Sequence, residues 1–480
     1  MLKFTKINQK NPEKIISKIR SNNFNEIYSR FAKDKAEEQS SRCSQCGIPF
    51  CQVHCPLQNN IPDWLKLTAE DRLEEAYEIS SATNNMPEVC GRICPQDRLC
   101  EGNCVIEKSG HGSVTIGSVE KYITDVAWEQ GWVKDIKVIN EKEQSVGIVG
   151  SGPTGLAAAE QLRRKGYQVT IYDRYDRAGG LLIYGIPNFK LEKEIVYKRI
   201  QRLKNSGIDF ILNCEIGSTI TFEEIRKKHD SILIATGVYK SRQINLNFSN
   251  ANNVVQALEF LIASNKKGLN DKVEDFENGK LNAKDKNIVV VGGGDTAMDC
   301  VRTAVRHGAK SVKCLYRRDQ QNMPGSQREV QNAIEEGVEF NWQTLPIEYL
   351  GNKKINQTKI IKMHLGSTDE SGRRFPEKIK GSEETIDTDL IIEALGFEPE
   401  NLPKMFNKNE LAVTQWGTIK INFKNMMTNI EGVFAAGDIV RGASLVVWGI
   451  KDGRDVAENI DNFIKAKSLN VPQKEELVSV

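Results

Sequence analysis

Two short turns, Gly150-Ser-Gly152-Pro-Thr-Gly155 and Gly292-Gly-Gly294-Asp-Thr-Ala297, restrict the fold of this chain more than any other feature. Each follows an apolar run, Val146 to Val149 and Ile288 to Val291, and each opens a helical pattern, Leu156 to Lys165 and Thr296 to His307. A second apolar strand comes next in both places, Val169 to Tyr172 and Val312 to Tyr316. Strand, glycine turn, helix and parallel strand make a βαβ unit, and its geometry explains the glycines. The first permits the tight turn, the second lets the backbone approach a pyrophosphate, and the third brings helix against strand. The N–H groups of the helix start then face the phosphates. Two such units, about 140 residues apart, predict a doubled α/β architecture.

The units differ where the second strand ends. Asp173 lies 23 residues after Gly150, where a carboxylate holds a ribose hydroxyl. The same count from Gly292 reaches Leu315, and Tyr316-Arg317-Arg318 follows in place of an acidic residue. Arginines there suit a 2′-phosphate dianion through charge-assisted, often bidentate bonds. The second unit is therefore expected to select NADPH, with Gly292, Gly294, Asp295 and Thr296 in the turn and Arg317 and Arg318 on the phosphate. Asp319, one residue further, offsets part of that charge.

The first unit carries pieces that resemble the flavoprotein disulfide reductases. Gly179-Gly180-Leu181 follows the acidic residue, Ala235-Thr236-Gly237 looks like their interdomain turn, and Ala435-Ala-Gly437-Asp438 looks like their second FAD motif. That resemblance implies FAD on Gly150, Gly152, Gly155 and Asp173, with Asp438 on the ribityl chain. It also implies an FAD domain interrupted by an insertion.

Eight of the eleven cysteines fall between Cys43 and Cys104. The opening Met-Leu-Lys-Phe-Thr-Lys has no apolar core of a signal peptide, and no apolar run approaches the ~20 residues of a membrane span. A cytoplasmic protein is expected, and thiols clustered in that compartment point to metal rather than disulfides. The runs are Cys43-x2-Cys46-x4-Cys51-x3-Cys55-Pro and Cys90-x3-Cys94-Pro-x4-Cys100-x3-Cys104. In two-cluster ferredoxins the last cysteine of a run ligates the other cluster. By that logic Cys43, Cys46, Cys51 and Cys104 hold one [4Fe–4S] cluster, and Cys55, Cys94 and Cys100 hold a second. Zinc is the competing metal for four-thiolate sites. His54 is expected at the surface or behind the ligands rather than as a ligand itself, and Cys214, Cys300 and Cys314 as small buried hydrophobes. A net charge of +2 gives no support to a nucleic-acid partner.

Longer motifs join these parts. Asn60-Ile-Pro-Asp-Trp64, Pro87-Glu-Val-Cys-Gly-Arg-Ile-Cys-Pro95, Gly179-Gly-Leu-Leu-Ile-Tyr-Gly-Ile-Pro187, Gly292-Gly-Gly-Asp-Thr-Ala-Met-Asp299 and Leu445-Val-Val-Trp448 resemble the glutamate synthase small-subunit family over nearly the whole chain. Close relatives with the same motifs include the N-terminal part of dihydropyrimidine dehydrogenase and bifurcating ferredoxin:NADP⁺ oxidoreductases. Thr154, before Gly155, departs from the small residues usual in such turns.

The resemblance implies an N-terminal, mainly helical iron–sulfur domain (1–140), a discontinuous FAD domain (141–240 and 395–480) and an inserted NADPH domain (241–394), the latter two Rossmann-like. It implies Glu120 as the fourth ligand of the second cluster, with Cys90, close in sequence, as the alternative. Electrons are expected to run from NADPH through FAD to the clusters, because flavin alone exchanges both a hydride and single electrons. No catalytic acid or base is required. The implied partner is a large subunit with FMN and a [3Fe–4S] cluster, which hydrolyses glutamine and makes L-glutamate with 2-oxoglutarate. Ferredoxin or another catalytic subunit is the competing acceptor. The chain opens with Met-Leu-Lys rather than the N-terminal cysteine of such glutaminases, so glutamine hydrolysis is expected to belong to the partner.

Overall fold

A computed structural model describes residues 2–368 and 374–469. Met1 and residues 470–480, which belong to the expected segments 1–140 and 395–480, lie outside the described residues.

The apolar runs form two five-stranded parallel sheets of the same order. In the first, Val433–Ala435, Ser231–Ile234, Ser145–Val149, Gln168–Tyr172 and Ile208–Ile211 lie side by side. In the second, the order is Val254–Gln256, Leu390–Glu393, Asn287–Val291, Ser311–Tyr316 and Glu339–Trp342. The central strands are apolar on both faces because both are covered; in the second sheet helices pack on Ile288, Val290 and Ile392, and Tyr349, Ile355 and Ile360 pack on Val289, Val291 and Ile391. The first sheet takes its edge strand from the far C-terminal region, whereas the second draws only on residues 254–393. The chain passes between them at a ribbon of two short antiparallel strands, Lys240–Ser241 and Phe397–Glu398.

Pro153 begins the helix Pro153–Arg164 three residues earlier than periodicity indicates, since proline is already set for a first turn and needs no N–H partner there. The long helix Val446–Leu469 packs on it closely. A side chain at Gly453 would overlap the Thr154 carbonyl oxygen, and one at Gly449 would press on Thr154 Oγ1. Glycines on the facing helix thus absorb the extra bulk of Thr154. The second unit adds antiparallel strands, Thr344–Gly351, Ile355–Thr368, Arg374–Lys378 and Glu384–Asp387, which periodicity had not separated from its surroundings.

The N-terminal region is helical. Helices Ile61–Ala69, Leu73–Thr83, Pro87–Ile93 and Ile116–Glu129 close around Trp64, Val119 and Ile123. The weakly periodic first forty residues give only Ser17–Arg20, Lys33–Ser40 and a short 3₁₀ turn. Buried ion pairs bind this region to both units. Arg199 of the first unit grips Glu88 through two bonds of 2.7 and 2.9 Å. Arg20 reaches Glu336 of the second at 2.9 Å. The two nucleotide-type units are also tied directly, by Arg177 with Asp271 at 2.7 and 2.8 Å and by Lys190 with Asp299 at 2.8 Å.

Candidate functional site

Gly150 has φ +109°, and a Cβ there would overlap the carbonyl oxygen of Ala235. Gly155 sits so close to Gly150 that a side chain would strike its carbonyl. Gly152, at the start of the helix, has nothing within 4 Å of a Cβ position. The backbone is thus compact behind the turn and open in front, as a phosphate cradle requires. Asp173, buried at the strand end, accepts bonds from Ser151 N (2.7 Å), Ser151 Oγ (2.5 Å) and Tyr175 N (2.9 Å). Gly179 N donates to Ser151 O and Oγ, each at 3.1 Å, and Gly180 lies against Gly152 with Leu181 starting the next helix. The Gly179-Gly180 pair therefore forms a second wall of the turn.

Against the same turn, where a Cβ would overlap Thr154 Oγ1, Gly437 (φ +78°) leads into Asp438. Burial pushes the Asp438 carboxyl up to about 7. The Thr236 hydroxyl, beside Gly237, is buried with no hydrogen-bond partner among the described residues. A buried polar group without a partner is costly, so this hydroxyl fits a site completed by a polar ligand such as FAD.

The second turn repeats the first. Gly292 (φ +149°) abuts the carbonyl of Ala394, and Gly294 opens the helix Asp295–Arg306 with nothing within 4 Å. Ala297 is fully buried. The register corrects the residue count. Gly150 N donates to Tyr172 O, and Gly292 N to Leu315 O, so the counterpart of Asp173 is Tyr316 and not Leu315. The helix-to-strand connection is one residue longer in the second unit, residues 307–310 against 165–167. The strand end still lacks a carboxylate. Beyond it Arg317 is exposed, while Arg318 is buried and its Nε has no partner among the described residues. Asp295 Oδ1 accepts from Ser326 N at 2.9 Å. Between the units, beside the ribbon, an open cleft of about 780 Å³ is lined by Arg174, Tyr175 and Tyr239 on one side and Gln256 and Leu258 on the other.

The cysteines fall into two groups. Cys43 and Cys51 have Cys104 and Cys46 as close neighbours. Cys55, Cys90, Cys94, Cys100 and Glu120 line one cavity. Burial pushes the Cys43 and Cys55 thiols up to about 11 and Cys51 to about 12. A thiol hydrogen bond with Cys90, together with burial, raises Cys94 further. Such thiols are thiolates only with metal bound, and this donor set fits iron–sulfur clusters. The Glu120 carboxyl, raised to about 8 by burial, has Oε1 held by Asn59 (3.2 Å) and Asn84 (3.3 Å). Cys90 faces Asn84 Oδ1 at 3.8 Å, so both alternatives for the fourth position reach the cavity. Among the described residues, no three His, Cys, Asp or Glu side chains are placed to hold a single metal ion.

His54 is exposed, its Nδ1 at 2.9 Å from Phe50 O, and Cys214, Cys300 and Cys314 are buried. Sequence reasoning missed Asn59, Asn84 and Ser151. The first two were concealed because their contact with Glu120 spans 61 and 36 residues. Ser151 stood inside the motif, and its pairing with an acidic strand end was the available signal.

Comparison with known proteins agrees with this geometry. Residues 20–132 match the dihydropyrimidine dehydrogenase domain II, 4Fe-4S cluster family. Residues 144–453 match the pyridine nucleotide-disulphide oxidoreductase family. Mycobacterium tuberculosis FprA, solved in complex with NADPH, shares the fold at a TM-score of 0.59 and 19% identity, over 68% of this chain and 86% of that one. No described helix is long and apolar enough to cross a membrane. The chain is 44% identical to the glutamate synthase [NADPH] small chain of Escherichia coli K12, over 96% of its own length and 98% of the relative's. It is 60% identical to the protein of the same name from Azospirillum brasilense, over 98% and 97% of the two lengths. The chain belongs to the glutamate synthase [NADPH] small-chain family.

Proposed function

We propose that this chain is the electron-input subunit of a cytoplasmic glutamate synthase. It oxidises NADPH and delivers the electrons to a large subunit that makes L-glutamate from glutamine and 2-oxoglutarate. FAD supplies the one chemistry side chains lack, the exchange of a hydride for single electrons. The rest is binding and orientation by this chain. Gly150, Gly152, Gly155 and Gly179-Gly180 would cradle the FAD pyrophosphate, Asp173 would orient the ribose, and Thr236 and Asp438 would meet the polar chain of the flavin. Gly292, Gly294, Asp295 and Thr296 would hold the NADPH pyrophosphate, with Arg318 and then Arg317 on the 2′-phosphate. Cys43, Cys46, Cys51 and Cys104 would hold one [4Fe–4S] cluster, and Cys55, Cys94, Cys100 and Glu120 the other.

One observation carries the order of transfer. The cavity of Cys55, Cys94, Cys100 and Glu120 is also lined by Val447, on the helix that follows Gly437-Asp438. Cys55 and Cys94 pack on the core of the first unit, Cys55 and Cys100 also pack on the N-terminal core, and Cys43, Cys51 and Cys104 pack on the N-terminal core alone. The second thiol set therefore lies between the flavin unit and the first set. Anaerobic purification with iron, sulfide and flavin analysis tests this. About eight irons are expected for two cubanes, with one FAD. Glu120→Ala should lose or convert one cluster while Cys90→Ala keeps both. Zinc in place of iron, or iron loss in Cys90→Ala alone, would contradict the assignment.

A further inference from the structure

The segment between Cys94 and Cys100 does more than carry two thiols. Asp97 reaches into the second unit, where its Oδ1 accepts from Ser326 Oγ and its Oδ2 from Gln327 N, both at 3.1 Å. Arg98 donates to Pro324 O. Arg328 donates to Gln96 Oε1 at 3.2 Å and to Glu101 Oε2 at 2.9 Å. The loop so gripped lies against the second glycine turn. Gly325 N donates to Gly293 O at 2.9 Å, and Ser326 N to Asp295 Oδ1 at 2.9 Å. Ser326 thus bonds Asp97 through its hydroxyl and the turn through its amide. A continuous run of hydrogen bonds joins the thiol segment to the dinucleotide cradle, across more than 200 residues of sequence.

We propose that Asp97 is a positioning residue for the dinucleotide turn, and that through Ser326 it couples the second thiol set to nucleotide binding. This rests on the reading that the turn at Gly292 binds NADPH. Without Asp97 the loop loses its bonds at Ser326 Oγ and Gln327 N, and the contacts of Gly325 N with Gly293 O and of Ser326 N with Asp295 Oδ1 lose that support. Coupling of this kind is reciprocal for binding, so a nucleotide seated on the turn must also be felt at the segment 94–100.

The test uses the full holoprotein and 2′,5′-ADP, which carries the 2′-phosphate and the adenosine 5′-phosphate but no nicotinamide to accept a hydride. In the wild type, 2′,5′-ADP should bind and shift the electron paramagnetic resonance spectrum of one cluster in dithionite-reduced protein. In Asp97→Asn the Kd should rise about tenfold, within the usual range of site-to-site coupling, and the spectral shift should vanish while iron and flavin contents stay unchanged. Ser326→Ala leaves the thiol segment intact and must behave in the same way, which keeps the test decisive if Asp97→Asn loses iron. An unchanged Kd in Ser326→Ala, or a spectral shift that survives in it, overturns the coupling. A wild type that does not bind 2′,5′-ADP overturns the nucleotide-site reading as well.

Discussion

The two glycine turns use one backbone design and different side chains. Gly150 and Gly292 both press on the carbonyl of an alanine at the end of the neighbouring strand, and Gly152 and Gly294 both leave open space at a helix start. What differs is the middle position and the strand end. In the first turn Ser151 is tied to Asp173; in the second a Cβ at Gly293 would overlap the ring of Tyr316, with Arg318 buried beyond it. The backbone makes a phosphate cradle, and the strand end chooses the nucleotide.

Each unit also keeps one buried carboxylate among arginines, and its loss should have the largest effect. Glu160 meets Arg164 at 2.8 Å and Arg202 at 3.0 Å, while Glu336 meets Arg20, Arg302 and Arg306 at 2.7–2.9 Å. Burial alone would raise both carboxyls, yet the arginines hold each down to about 2. Removing either, as Glu160→Ala or Glu336→Ala, should cost about 3–5 kcal/mol by stranding the arginines, read from denaturant midpoints. With folded values below the ordinary glutamate pKa of about 4.3, both pairs stabilise fully above that pH. The wild type should lose this stability as pH falls towards 2, and melts of each variant should show a smaller loss in that window.

Next in size, valine at Gly150 or Gly292 adds backbone strain to a steric overlap, about 3 kcal/mol together. Gly150→Val should purify without flavin. Gly292→Val should keep flavin and bind NADPH about a hundredfold more weakly. Titration of each with NADPH separates the two turns. Arg318→Gln, removing a charge-assisted contact of about 1.5–3 kcal/mol, should weaken NADPH binding more than tenfold and leave NADH unchanged, whereas exposed Arg317 should matter less. Equal effects of the two arginines would show that burial does not rank them. The smallest change is Ser151→Ala, about 1 kcal/mol, visible as faster flavin loss on dilution.

Local features were legible in the sequence. The glycine turns, the strands around them and the two cysteine runs each lie within about thirty residues, where spacing and periodicity carry the information. Counting failed at Leu315, because a single additional loop residue shifts a strand end without altering any pattern. The contacts of Arg20 with Glu336, Asp97 with Ser326 and Asn59 with Glu120 were not legible. They join residues that only the folded chain brings together, and an isolated Arg, Asp or Asn carries no periodicity. The helix Ile116–Glu129 shows the boundary between these cases. The spacing of Ile116, Val119, Ile123 and Ala127 fits a helix, but Glu120 became a candidate ligand only through family resemblance, since nothing local separates it from a solvated carboxylate.

The most direct measurement is an anaerobic titration of the purified chain with NADPH and, separately, NADH, following flavin absorbance and the electron paramagnetic resonance of the iron–sulfur centres together. NADPH should bleach the flavin at far lower concentration than NADH, and reduced-cluster signals should grow in as it does. Equal bleaching by the two nucleotides would contradict the role of the strand-end arginines. Flavin bleaching that never produces a cluster signal would contradict the transfer of electrons through the thiol sets.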